Sequence, residues 1–191
     1  NKPIVLCFYA SQNEKEIKVK LLILGGTSFL GRHCVDAALS RKHDVTLFNR
    51  NKTNSVIFPG VERLVGDRDG NLNALLGREW DAVIDVNGYL PRLVRDSSKL
   101  LSGNVGHYVY ISSGSVYDLS ATGKSIDEAS PLLPTEGIDT EEFFGLAYGE
   151  LKLLCEKVVM EYFPDRATLL RPGLIAGPYD NTDRITYWVD R

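Results

Sequence analysis

The stretch Gly25-Gly26-Thr27-Ser28-Phe29-Leu30-Gly31 constrains this chain more than any other, because of what flanks it. Before it runs the strongly apolar Lys20–Leu24. After it, Phe29–Ser40 carries Leu30, Val35, Ala38 and Leu39 at helical spacing. A strand that turns through glycines straight into a helix is the opening unit of a parallel α/β sheet. The turn also has a chemistry. A helix that starts there presents free N–H groups and a partial positive charge to an anion.

The rest of the chain repeats the alternation. Strands are expected at Asp44–Phe48, Val61–Val65, Asp81–Val86, Gly106–Ser112 and Ala167–Leu170. Asp81–Val86 is nearly all apolar, as a strand buried on both faces should be. Helices are expected at Leu72–Leu76, Arg92–Leu101 and Leu146–Tyr162, the last ended by Pro164. Leu119 to Phe144 is rich in Ser, Thr, Gly, Pro and acids and reads as a long surface excursion, of the kind that usually serves function. The fold class is α/β, a Rossmann-type doubly wound parallel sheet over residues 19–177. Residues 1–18 read as an extension ahead of the core, with the domain beginning abruptly at Val19-Lys20-Leu21-Leu22.

Composition narrows the function. The 191 residues carry a net charge of −3 with both signs spread along the chain, which argues against a nucleic-acid surface. Cys7, Cys34 and Cys155 are too far apart for a disulfide framework or a metal site, and His33, His43 and His107 stand separately. A reducing cytoplasm is the default expectation. No apolar run is long enough to span a bilayer.

Within the glycine turn, Gly25 permits the tight bend and Gly31 the close packing of helix on sheet. Ser28 stands where a middle glycine often lies; its hydroxyl can donate to a phosphate, while its Cβ narrows the approach. About twenty residues on, an acid would hold a ribose 2′-hydroxyl. The second strand instead ends Leu47-Phe48-Asn49-Arg50-Asn51-Lys52. Arg50 can pair with a 2′-phosphate and stack on adenine, so NADP is expected ahead of NAD.

Tyr148-Gly149-Glu150-Leu151-Lys152 places a phenol and an ammonium on one helix face. A tyrosine of pKa about 10 needs a shift of about three units, about 4 kcal/mol, to act as a base near neutrality. An ammonium about 4 Å away supplies about that much at an effective dielectric of 20. Upstream, the fifth strand ends Tyr110-Ile111-Ser112-Ser113-Gly114-Ser115-Val116-Tyr117, where Ser113 can hydrogen-bond a substrate oxygen. Strand carboxyl ends are where open α/β sheets bind ligands. A serine hydrolase is disfavoured, because Ser113 lies in no Gly-x-Ser-x-Gly elbow and no histidine follows it.

From about Lys20 onward these motifs together resemble the extended short-chain dehydrogenase/reductase family, the NAD(P)-dependent epimerase/dehydratase group. The resemblance implies a catalytic Ser113, Tyr148 and Lys152. It implies cofactor contacts from Gly25, Thr27, Ser28, Phe29, Leu30, Gly31, Arg50, Asp67, Asn87, Tyr148, Lys152 and Pro172. Gly66-Asp67 is similar to a turn whose aspartate meets adenine, and Asp85-Val86-Asn87 to a segment lining the cofactor ribose. Arg171-Pro172-Gly173 through Gly177-Pro178 is similar to a stretch whose backbone meets nicotinamide. Glu156 fits the acid that often follows the Tyr–Lys pair. Ile126-Asp127-Glu128 through Pro134 is similar to the acidic segment before that pair.

The implied activity is an oxidoreductase or epimerase/dehydratase acting on a hydroxyl or carbonyl substrate, a nucleotide sugar among the candidates. A homodimer through the two later helices is also implied. Members of the group carry a C-terminal substrate lobe that is largely absent from this chain, residues 178–191 being read as its start. The alternatives are a dinucleotide-binding relative without turnover, a sensor or RNA-binding protein, or a fragment that binds cofactor alone.

Overall fold

The computed structural model describes residues 17–121, 125–140, 147–182 and 184. Most of the expected extension (1–16), parts of the excursion and the expected start of the last helix (122–124 and 141–146), and positions 183 and 185–191 lie outside the described residues.

Six strands form one sheet: β1 (Lys20–Leu24), β2 (Asp44–Asn49), β3 (Glu62–Val65), β4 (Trp80–Asp85), β5 (Val105–Ile111) and β6 (Ala167–Leu170). All neighbours pair in parallel, in the order β3-β2-β1-β4-β5-β6. The order reverses between β1 and β4, and such a switch point opens a crevice at the strand carboxyl ends. Helices α1 (Phe29–Ser40), α2 (Pro91–Leu101) and α3 (Tyr148–Tyr162) make the crossovers.

Strand periodicity explains the two cores. Along β1, Leu21 and Ile23 pack under α1 with Val35, Ala38, Val45 and Leu47. Leu22 and Leu24 face the other way, into a larger core with Val83, Val94, Leu101, Tyr108, Tyr110, Cys155, Val158 and Phe163. A strand buried on both faces is apolar along its buried length, as Leu21–Leu24 is.

Several boundaries differ from expectation. The run Leu72–Leu76 makes a single tight turn over Asn73–Leu75, because Gly70 and Gly77 bracket it in left-handed backbone. The third strand starts at Glu62, β2 runs on to Asn49, and β4 and β5 each lie one residue earlier than expected. Gly106 sits inside β5 because a Cβ there would lie 2.7 Å from Asp81 O on the neighbouring strand. Pro91, not Arg92, opens α2; proline suits a first helical position, where its missing N–H costs nothing.

Candidate active site

The glycine turn takes its shape from close contacts. Gly25 has φ +112°, and a Cβ there would meet Val86 Cγ2 at 2.7 Å. At Gly31 a Cβ would come within 2.7 Å of Gly26 N, so only glycine lets α1 start this near the sheet. Two asparagines, one at the end of β2 and one beyond it, brace the turn: Asn49 donates to Gly25 O (3.3 Å) and Asn54 to Thr27 O (2.8 Å). Ser28, the residue before α1, is extended and exposed, and its side chain does not cap the helix.

A cavity of about 700 Å³ opens in front of this turn. Its walls include Gly25, Thr27, Ser28, Phe29, Leu30, Gly31, Arg50, Asp67 and Asn87, all from the expected cofactor set. They also include Lys52, Arg68, Tyr89, Asp180, Asn181, Thr182 and Arg184. Asp67 forms a small antiparallel bridge with Asn71, and its carboxylate accepts from Asp69 N (3.1 Å). Ser113, Tyr148, Lys152 and Pro172 lie outside these walls.

The catalytic candidates gather next door, at the ends of β4 and β5. Ser113 caps a tight turn over Gly114–Val116; its Oγ accepts from Ser115 N and donates to Ser115 Oγ, both at 3.1 Å. Pro172 O accepts from Gly114 N (2.7 Å), so Pro172 braces the serine turn. Tyr148 opens α3 beside that turn, because a Cβ on Gly149 would lie only 2.1 Å from Ser115 O. The excursion folds back onto the same turn: Leu133 N donates to Val116 O, and Leu133 reaches Gly149.

Lys152 is 3% exposed. Its Nζ donates to Gly88 O (2.9 Å) and Ile111 O (2.5 Å) and stands over the rings of Tyr110 (4.3 Å) and Tyr89 (5.2 Å). Burial lowers its pKa to about 8, although the Asp85 carboxylate opposes the shift. Tyr89 also neighbours Tyr148, with ring centroids 6.5 Å apart. Tyr89 therefore lines the cavity and neighbours Lys152 and Tyr148 alike. Burial first, and the Tyr148 hydroxyl second, hold the Tyr89 phenol above its ordinary pKa.

Beneath the cavity lies a buried ion pair. Arg68 donates to both oxygens of Asp85 (2.8 and 2.5 Å), and to Ser97 Oγ and Leu93 O. Tyr108 donates its hydroxyl to Asp85 (2.8 Å). Burial alone would raise the Asp85 pKa; the Arg68 guanidinium overrides it and holds the carboxyl below its usual range. A second clamp ties β6 to α3: Arg171 donates to both oxygens of Glu156 (2.9 and 2.6 Å) and to the Tyr117 hydroxyl (3.1 Å). Glu156 is on the same helix face as Tyr148 and Lys152.

Arg68, Tyr89, Asn49, Asn54 and Gly149 escape the sequence reading. Two of them left a signal. An aspartate closing an otherwise apolar strand requires a cation, and a glycine in a long helix requires a packing reason. Among the described residues no group of His, Cys, Asp and Glu could hold a metal ion, and no helix is long and apolar enough to cross a membrane.

No protein-family model matches the sequence, and no curated protein aligns with it significantly. Solved structures do match. A short-chain dehydrogenase/reductase superfamily protein from Agrobacterium tumefaciens with bound NAD is similar at 23% identity and TM-score 0.59, over 79% of this chain and 48% of that one. The Bordetella bronchiseptica enzyme WbmG, in complex with NAD and UDP, is similar at 20% identity and TM-score 0.65, over 85% and 55%. UDP-N-acetylglucosamine 4-epimerase from Bacillus cereus is similar at 23% identity and TM-score 0.60, over 81% and 55%. The chain spans about half the length of these structures. At such identities the likeness shows the fold, and the fold is the one implied by the resemblance read from the motifs.

Proposed function

We propose that this chain is the dinucleotide-binding part of an NADP-preferring enzyme of the extended short-chain dehydrogenase/reductase type. Its substrate carries a hydroxyl or carbonyl group, and a nucleotide sugar fits the company of its structural relatives. One observation carries the reading. The glycine turn, the cationic end of β2 and the end of β4 line a single cavity, and Tyr89 joins that cavity to Lys152 and Tyr148.

The cavity suits the group. Gly25 and Gly31 leave the space that side chains would fill, and the start of α1 offers N–H groups to a pyrophosphate. Asn49 at the end of β2 is engaged on Gly25 O, and no acid stands beside it to hold a 2′-hydroxyl. Arg50 and Lys52 line the cavity there, which supports a 2′-phosphate. When bound, a nicotinamide dinucleotide would supply the hydride transfer.

The chain's own residues would handle the proton. Tyr148 takes it from the substrate hydroxyl, or returns it to the carbonyl. An ammonium has three donors, and Lys152 has two engaged on Gly88 O and Ile111 O. The third is left to steady the Tyr148 oxygen or a ribose hydroxyl. Ser113 turns its hydroxyl from Ser115 to the substrate oxygen. A homodimer through α2 and α3 belongs to the same reading; its interface would meet the exposed Arg95–Glu161 pair, which bridges those helices.

A second reading is binding without turnover. It is favoured by the cavity walls, which omit Ser113, Tyr148 and Lys152. Two titrations decide. NADP should bind more tightly than NAD, and Arg50→Ala should cost NADP about tenfold or more while sparing NAD; the reverse order overturns the cofactor choice. In the full-length protein Tyr148→Phe should abolish turnover and keep dinucleotide affinity. A full-length protein that binds dinucleotide but never turns over would establish the second reading.

A further inference from the structure

The segment after β6 returns across the molecule to α1. His33 Nε2 hydrogen-bonds Pro178 O (2.9 Å). The Arg32 guanidinium lies 3.6 Å from the centroid of the Tyr179 ring, and the His33 ring centroid is 5.8 Å from it. Tyr179 itself is in left-handed backbone, φ +68°. That conformation is unfavourable for a bulky side chain and persists only where surrounding contacts hold it. Here the contacts are to α1. The turn continues with Asp180, whose Oδ1 accepts from Thr182 N and Oγ1. Asp180, Asn181, Thr182 and Arg184 then line the same cavity as the glycine turn.

We propose that Arg32 and His33 latch Pro178–Thr182 to α1 as the outer wall of the cavity, and that this latch sets how fast a bound dinucleotide leaves. The inference rests on the reading that the cavity takes a dinucleotide. The chemistry is specific. Guanidinium stacking needs a planar ring at position 179 and a planar cation at position 32. A hydroxyl on the ring is not needed. The wall, once held, keeps Asn181 and Arg184 beside the ligand and closes the way out past α1. Arg32 and His33 are half-buried and neither belongs to the two cores, so their loss leaves those cores intact.

The test uses stopped-flow release of NADPH from the full chain, with amide hydrogen exchange over 174–182 as a second readout. Tyr179→Phe should match wild type. Tyr179→Gly relieves the backbone yet removes the ring; it should release NADPH about two- to fivefold faster, the weight of one exposed cation–π contact. It should also exchange faster over 174–182. Arg32→Lys should fall between wild type and Arg32→Ala, with unchanged melting temperature throughout. Wild-type release from Tyr179→Gly and Arg32→Ala overturns the latch while leaving the dinucleotide reading standing. Failure of wild type to bind either NADPH or NADH overturns the dinucleotide reading, and the latch with it.

Discussion

Lys152 and Gly149 show how a single position can work against its own propensity. Burial holds Lys152 at a pKa of about 8 against its ordinary 10.5. A lysine whose folded pKa is depressed weakens the fold while charged, so stability should rise as pH climbs from about 8 to about 10.5. The rise attributable to it is roughly 3 kcal/mol. Lys152→Met should remove this rise, as denaturant unfolding at pH 7.5 and pH 10 would show; an identical rise in both proteins would contradict the burial argument. At Gly149 two effects compete. Alanine in a helix interior is worth up to about 1 kcal/mol over glycine. Against that, its Cβ would sit 2.1 Å from Ser115 O, and overpacking costs about 1–3 kcal/mol. The clash wins. Gly149→Ala should lower stability by about 1–2 kcal/mol, and should push the start of α3 from the serine turn, lowering turnover of the full-length enzyme by about a hundredfold. A stabilised, fully active variant would refute this.

Among elements, β4 and the turn after β3 depend on each other through Asp85 and Arg68. Removing one buried partner strands the other's charge, at about 3–5 kcal/mol, whereas replacing both by apolar groups of similar size can be nearly neutral. Asp85→Leu should therefore unfold more easily than the Arg68→Met/Asp85→Leu double variant, as urea melts would reveal; equal losses would show the pair to be uncoupled. The pH sign follows from the direction of the shift. The Asp85 carboxyl is held below its usual pKa, so its contribution is complete above the ordinary carboxylate range and is lost as pH falls through the lowered value. Acid unfolding of the wild type should be steeper than that of the double variant.

Across the whole molecule, the cavity is assembled from distant parts of the chain: the glycine turn, the ends of β2 and β4, and the segment after β6. A ligand there ties them together and should stabilise the fold as a unit. With dinucleotide at a hundredfold over its dissociation constant, the gain is about 2.7 kcal/mol, or a melting shift of roughly 5 °C or more for a chain of this size. Calorimetry with NADP and NAD would measure it, and an unmoved midpoint with both would count against the site. On the α1 side of the sheet, Ile84, Val109 and Ile111 are only half-buried, since α1 covers β1 and β2.

Much of this was written locally. Apolar runs such as Lys20–Leu24 and the glycines after them determined a parallel α/β sheet, because strand burial and tight turns depend on neighbours in sequence. The spacing of Tyr148 and Lys152 determined a shared helix face for the same reason. What the fold alone decided is everything that depends on long-range approach. Arg68 in a polar turn reads as a solvated charge until β4 brings Asp85 beneath it. Tyr89 reads as a loop residue until α3 brings Lys152 and Tyr148 to its ring. The turn Pro178–Thr182 meets α1 across more than 140 positions of chain, as His33 and Pro178 do. Spacing records only what is near along the chain; charge pairing, ring contacts and cavity walls are set by which strands lie side by side.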